Sequence, residues 1–130
     1  MSEPATILVV EDEQDQMTIL TLMLTRAGYR VIPAYGADDA IRKVKTQPID
    51  LVITDLAMPK VSGVELVYAV KSDPSTRHIP VIVVTAYLWE SLGRGASHMR
   101  PDGFIGKPYT AARLLEEVDL HLTHVATPPQ

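Results

Sequence analysis

The chain has 130 residues, 46% hydrophobic and 22% charged, with a formal net charge of −4. That length suits one domain with a sizeable core, and the charge balance argues against direct nucleic-acid binding, which needs a basic surface to neutralise phosphates. There is no cysteine, so disulfides, thiolate zinc sites and cysteine nucleophiles are excluded.

No apolar run approaches the ~20 residues of a membrane span, and Met1-Ser2-Glu3-Pro4 lacks the basic and apolar regions of a secretory signal. The expectation is a soluble cytoplasmic protein with no membrane partner. It should form one domain over residues 1–130, with its core at about 6–122 and a flexible tail at 123–130.

Thr6-Ile7-Leu8-Val9-Val10 reads as a buried strand ending in the acids Glu11-Asp12-Glu13. Met17, Leu20, Leu24 and Ala27 then recur at helical spacing over residues 14–27, with Gly28 placed to stop the helix. Residues 29–33 form a weaker strand whose Pro33 predicts an edge position, because proline donates nothing to a ladder. Ala37, Ala40, Ile41 and Val44 mark a second helix, ended before Pro48. Leu51-Val52-Ile53 is the next buried strand, running directly into Asp55, with Pro59 closing the loop behind it. A third helix follows from Gly63 to about Lys71, broken by Asp73-Pro74.

Pro80-Val81-Ile82-Val83-Val84 is the fourth strand, leading into Thr85-Ala86. The helix expected after it contains Gly93 and Gly95, each costing ~1 kcal/mol relative to alanine, so a short or mobile helix is predicted. Residues 104–106 form the last strand, ending at Lys107-Pro108, and the last helix starts near Thr110 and carries Ala111, Leu114, Leu115, Val118 and Leu122.

Strand and helix alternate five times, which predicts an α/β fold: a doubly wound five-stranded parallel sheet with helices on both faces. Parallel strands bring Glu11, Asp12, Asp55, Thr85 and Lys107 to one edge, where open α/β sheets hold their ligands. Three clustered carboxylates repel one another, and a hard cation such as Mg²⁺ relieves that conflict. Carboxylate, metal, hydroxyl and ammonium around one pocket form a phosphoryl-transfer constellation.

In order, Ile7 to Glu13, Asp50 to Asp55, Met58-Pro59, Gly63, Val84-Thr85-Ala86 and Gly106-Lys107-Pro108 resemble the receiver domain of the response regulators of two-component signalling. The resemblance covers about residues 6–122 and implies the flavodoxin-like strand order 2-1-3-4-5 of the chemotaxis regulators. It implies that Asp55 is the phosphoacceptor, taking its phosphoryl group from a phosphohistidine. Asp12, Asp55 and the Ala57 backbone carbonyl would bind Mg²⁺ (or Mn²⁺), with Glu11 acting through a water. Thr85 and the Ala86 N–H would grip the phosphoryl group, Lys107 would pair with it, and the Lys107–Pro108 peptide would be cis.

Thr85 and Phe104 would form the switch, steric because Phe104 lacks a hydroxyl, while Ala57 and Tyr87 would flank access to the phosphoryl group. Ser62 departs from the acid that many receivers carry there. The implied partners are a histidine kinase or histidine phosphotransfer protein and a downstream target or output domain, read through the fourth helix, last strand and last helix. A monomer is expected, with a phosphorylation-linked dimer as the alternative.

Two rivals remain. A haloacid-dehalogenase-type phosphatase would need an acid where Ala57 stands, and a degenerate, phosphorylation-independent receiver would not be expected to keep all five chemical residues. A signalling switch rather than a turnover enzyme is the reading. His78, His98, His121 and His124 are scattered and read as solvated, Arg94 and Arg100 likewise, and Trp89 as either a partner anchor or a cover for the core.

Overall fold

The computed structural model describes residues 3–55, 63–86 and 101–126. Within them, five strands and four helices follow in the order β1 (Thr6–Val10), α1 (Gln14–Arg26), β2 (Arg30–Ala34), α2 (Ala37–Thr46), β3 (Leu51–Thr54), α3 (Gly63–Ser72), β4 (Val81–Thr85), β5 (Gly103–Gly106) and α4 (Ala111–Ala126). The strands form one parallel sheet in the order β2-β1-β3-β4-β5, the doubly wound arrangement that the alternating pattern and the resemblance together predict. The helix expected between β4 and β5 lies outside the described residues.

Every residue of β1, β3 and β4 is buried, because these central strands are covered on both sides. Successive strand side chains point to opposite faces, which sorts the core into two halves. Leu8, Val10, Val52, Val81 and Val83 meet Ala40, Val44, Leu66, Val67 and Val70 of α2 and α3. Ile7, Val9, Ile53, Ile82, Val84 and Ile105 meet Met17, Leu20, Leu24, Leu114 and Val118 of α1 and α4. β2 lies at the edge, where Pro33 is tolerated because one side of the strand has no ladder to complete.

The boundaries follow from backbone hydrogen bonds. At the end of α1, Tyr29 N–H donates to Leu24 O and Gly28 N–H to Thr25 O, both at 3.0 Å, with Gly28 at φ 99°. This is a Schellman close, and it commits the Tyr29 amide to the helix, so β2 runs one residue later than the 29–33 predicted. α4 begins after Thr110, whose hydroxyl accepts the Arg113 amide at 3.1 Å as an N-cap, and the helix continues four residues past Leu122.

The edge of the sheet where the strands begin is tied twice by the same device. Asp50 N–H donates to Thr6 O at 2.8 Å while Asp50 Oδ2 accepts the Thr6 amide at 2.7 Å. Asp102 repeats this with Val81, at 2.8 Å in both directions, and its Oδ2 also holds Lys71 Nζ at 2.6 Å. Lys71 completes its bonding on the carbonyls of Ile79 and Arg77, so α3, β4 and β5 meet in one network. No helix among the described residues is long and apolar enough to cross a membrane.

Candidate functional site

At the opposite edge, Glu11, Asp55 and Lys107 each stand one residue beyond the end of a strand, and each is fixed by an amide that prolongs the ladder. Glu11 N–H donates to Ala34 O at 3.0 Å, Asp55 N–H to Val10 O at 3.4 Å, and Lys107 N–H to Thr85 O at 2.8 Å. The backbone thus places the three side chains before any side-chain contact is made.

Those side chains then converge. Lys107 Nζ donates to Asp55 Oδ2 at 2.7 Å and lies 3.8 Å from Glu11 Oε1. Glu11 is 4% exposed and Asp55 9%, so both carboxylates are largely removed from water. Burial raises the Glu11 pKa above its usual range; the Glu13 amide (3.1 Å to Oε2) and Lys107 pull it back, while Asp55 and the Asp12 side chain push it further up. At Lys107 burial alone would favour the neutral amine, but the bond to Asp55 and the charges of Asp55 and Glu11 prevail and raise its pKa. Lys107 is therefore an ammonium at neutral pH.

The other predicted residues fall around this pair. Asp12 is exposed beside Glu11. Thr85 is fully buried at the end of β4, and Ala86, next in the chain, is exposed. Phe104 is half-buried, in register with Val83, and packs on the α2/α3 half of the core. Strand alternation puts Thr85 on that same face. The Lys107–Pro108 peptide is cis. Ala57 and Tyr87 lie outside the described residues, as do Pro59, Ser62, Trp89, Arg94, His98 and Arg100. His78 is exposed, as predicted for a solvated imidazole.

His121 corrects its prediction. Its Nε2 is 3.0 Å from Glu117 Oε1 and its side chain is only 17% exposed, seated against β5 where Gly103 has no side chain. The signal was the Glu117/His121 spacing of four, which places both on one helix face.

Sequence reasoning also passed over Tyr109, the aromatic residue directly after Lys107-Pro108. It packs on the α1/α4 half of the core, and with Lys107, Pro108 and residues Gln16, Ile19 and Met23 of α1 it lines a cleft of ≈ 420 Å³. Burial raises the Tyr109 pKa, Lys107 opposes that shift and Glu11 adds to it, so the phenol stays protonated at neutral pH.

Two buried carboxylates facing one ammonium, with the exposed Asp12 next in the chain to Glu11, leave an excess of negative charge that suits a hard cation. Among the described residues no group of three acidic or histidine side chains is arranged as a metal cage. Mg²⁺ does not require one, since it takes one or two carboxylates and keeps several waters. The donor set, all carboxylate oxygens with two of them buried, fits such an ion.

The response regulator receiver domain family model matches residues 7–119. The polar-differentiation response regulator DivK of Brucella anthropi is 29% identical over 119 residues, covering 92% of this chain and 97% of that protein. The signal receiver domain of a histidine kinase from Syntrophus aciditrophicus is 29% identical with a TM-score of 0.89, over 97% of this chain and 96% of that one. The receiver domain of a sensor histidine kinase from Pseudomonas aeruginosa, solved with magnesium in its active site cleft, shares the fold at 23% identity, with a TM-score of 0.85 over 92% of this chain and 98% of that one. The chain belongs to the response regulator receiver domain family.

Proposed function

We propose that this domain is a phosphorylation switch in which Asp55 accepts a phosphoryl group from a phosphohistidine of a histidine kinase or histidine phosphotransfer protein. The observation that carries this is the Lys107 ammonium held 2.7 Å from Asp55 Oδ2 and 3.8 Å from Glu11 Oε1, at the sheet edge where β1, β3 and β5 end. An Asp55 oxygen attacks phosphorus in line, the phosphorus–nitrogen bond breaks and a phosphorus–oxygen bond forms. Lys107 pairs with an oxygen of the arriving group, and the Thr85 hydroxyl and Ala86 N–H take others.

Glu11, Asp12 and Asp55, with the Ala57 carbonyl, would hold a largely hydrated Mg²⁺, or Mn²⁺ in its place, which would supply positive charge against the phosphoryl oxygens. Magnesium in the active site cleft of the Pseudomonas aeruginosa receiver is consistent with that assignment.

The added charge draws Thr85 toward Asp55. Phe104, on the same sheet face, turns into the space vacated, and the surface carrying β5 and α4 is then read by a downstream target or output domain. The role is signalling rather than turnover.

Intact-mass analysis after incubation with acetyl phosphate and Mg²⁺ tests the acceptor. Wild type should gain one phosphate and Asp55→Asn none. An adduct that persists in Asp55→Asn and maps elsewhere removes the reading.

A further inference from the structure

We propose that Thr54 is a positioning residue whose buried hydroxyl pins the backbone of Asp55, so that the acceptor carboxylate is held ready for attack. The proposal rests on the reading of Asp55 as acceptor and adds the group that fixes its aim.

Of the three amides that prolong the ladder, that of Asp55 makes the longest bond, 3.4 Å to Val10 O against 3.0 Å for Glu11 and 2.8 Å for Lys107. The reacting residue is thus the one its strand holds least. A second tie makes up the difference, because the Thr54 hydroxyl donates to the Asp55 carbonyl at 3.0 Å. With its amide and its carbonyl both engaged, Asp55 has little freedom in φ or ψ. Its Cα–Cβ direction is fixed, and the carboxylate meets Lys107 Nζ at 2.7 Å.

Packing gives no reason for a hydroxyl here. Thr54 is fully buried, in register with Val10 on one side and Val83 on the other. Strand alternation puts it on the face of Val52, in the α2/α3 half of the core. Valine has nearly the shape of threonine and a similar preference for strands, and it would bury without the cost of desolvating a hydroxyl. The reaction supplies the reason, since a nucleophile held loosely by a fraction of an ångström loses much of its rate. Thr54 makes and breaks no bond to phosphorus; it acts through Asp55.

The test is autophosphorylation by acetyl phosphate at saturating Mg²⁺ in wild type, Thr54→Val and Thr54→Ser. Valine keeps the shape and loses the donor, whereas serine keeps the donor and loses a methyl. Thr54→Val should lower the maximal rate about 3- to 10-fold, the worth of one neutral hydrogen bond, and leave the half-maximal donor concentration within about two-fold. Thr54→Ser should retain the wild-type rate despite a lower urea midpoint from its missing methyl. Amide hydrogen exchange reads the same tie without activity. The Asp55 amide should exchange faster in Thr54→Val alone, while the Val52 amide, held by Pro80 O at 2.9 Å, should exchange alike in all three proteins. A wild-type rate in Thr54→Val, equal slowing in Thr54→Ser, or unchanged Asp55 exchange overturns the positioning role while leaving Asp55 as acceptor. No adduct in wild type overturns both.

Discussion

Gly103→Ala is the substitution whose cost the geometry specifies most closely. A Cβ at this position would lie 2.8 Å from Glu117 Oε1, 2.9 Å from His121 Nε2 and 3.3 Å from Ile82 Cγ1. The first two are the tips of side chains that bond each other at 3.0 Å, while Arg113 holds the other carboxylate oxygen at 2.5 Å. The methyl must therefore split the Glu117–His121 pair. With side chains 14% and 17% exposed, that pair lies between a surface salt bridge and a buried charged hydrogen bond, so its loss costs about 1–2 kcal/mol.

Against this, Gly103 is not among the glycines with positive φ, so alanine restricts the unfolded chain and returns about 0.4–1 kcal/mol. The net expectation is about 0.5–1.5 kcal/mol of destabilisation, read from urea unfolding midpoints. The sign should change in a Glu117→Ala/His121→Ala background, where only Ile82 must give way and Gly103→Ala should be neutral or mildly stabilising. An equal cost in both backgrounds would place it in the β5 backbone and refute the reasoning.

Two further outcomes follow from the carboxylates. Asp102→Ala strands the Val81 amide and takes from Lys71 its carboxylate, leaving the ammonium on the Ile79 and Arg77 carbonyls, and should cost about 1–2 kcal/mol, whereas Asp50→Ala strands only the Thr6 amide and should cost about 1 kcal/mol; a smaller loss of urea midpoint for Asp102→Ala than for Asp50→Ala would count against the Lys71 network. Arg113 foremost, then His121, hold the Glu117 pKa below its ordinary value of 4.5 although burial opposes them, so its stabilising contribution is complete above 4.5 and lost as pH falls through its lower folded value. The stability gap between wild type and Glu117→Gln should therefore narrow on acidification below 4.5, and a gap that widens there would reverse the assignment.

Much of the fold was legible because its signals are local. Apolar runs too short for helices and bracketed by turn residues located β1, β3 and β4, and Pro33 placed β2 at the edge. Strand ends were less legible, since Tyr29 is taken by a helix close and Ala34 by the Glu11 amide, partners that periodicity does not encode. Asp55, Glu11 and Lys107 could be picked out because acids and a lysine directly after buried strands conflict with burial. Tyr109 gave no signal of its own beside the Lys107-Pro108 motif, and His121 read as a solvated imidazole. Their surroundings depend on α1 and Gly103, which lie far away in the chain.

The amides of Glu11, Asp55 and Lys107 have a consequence for how such a chain can diversify. Main-chain groups survive almost every substitution, and only proline deletes the donor. These three positions thus keep their stations whatever side chains the flanking loops acquire. Loops can be rewritten freely to change which kinase or target a receiver serves, so allegiance can drift while the chemistry stays put.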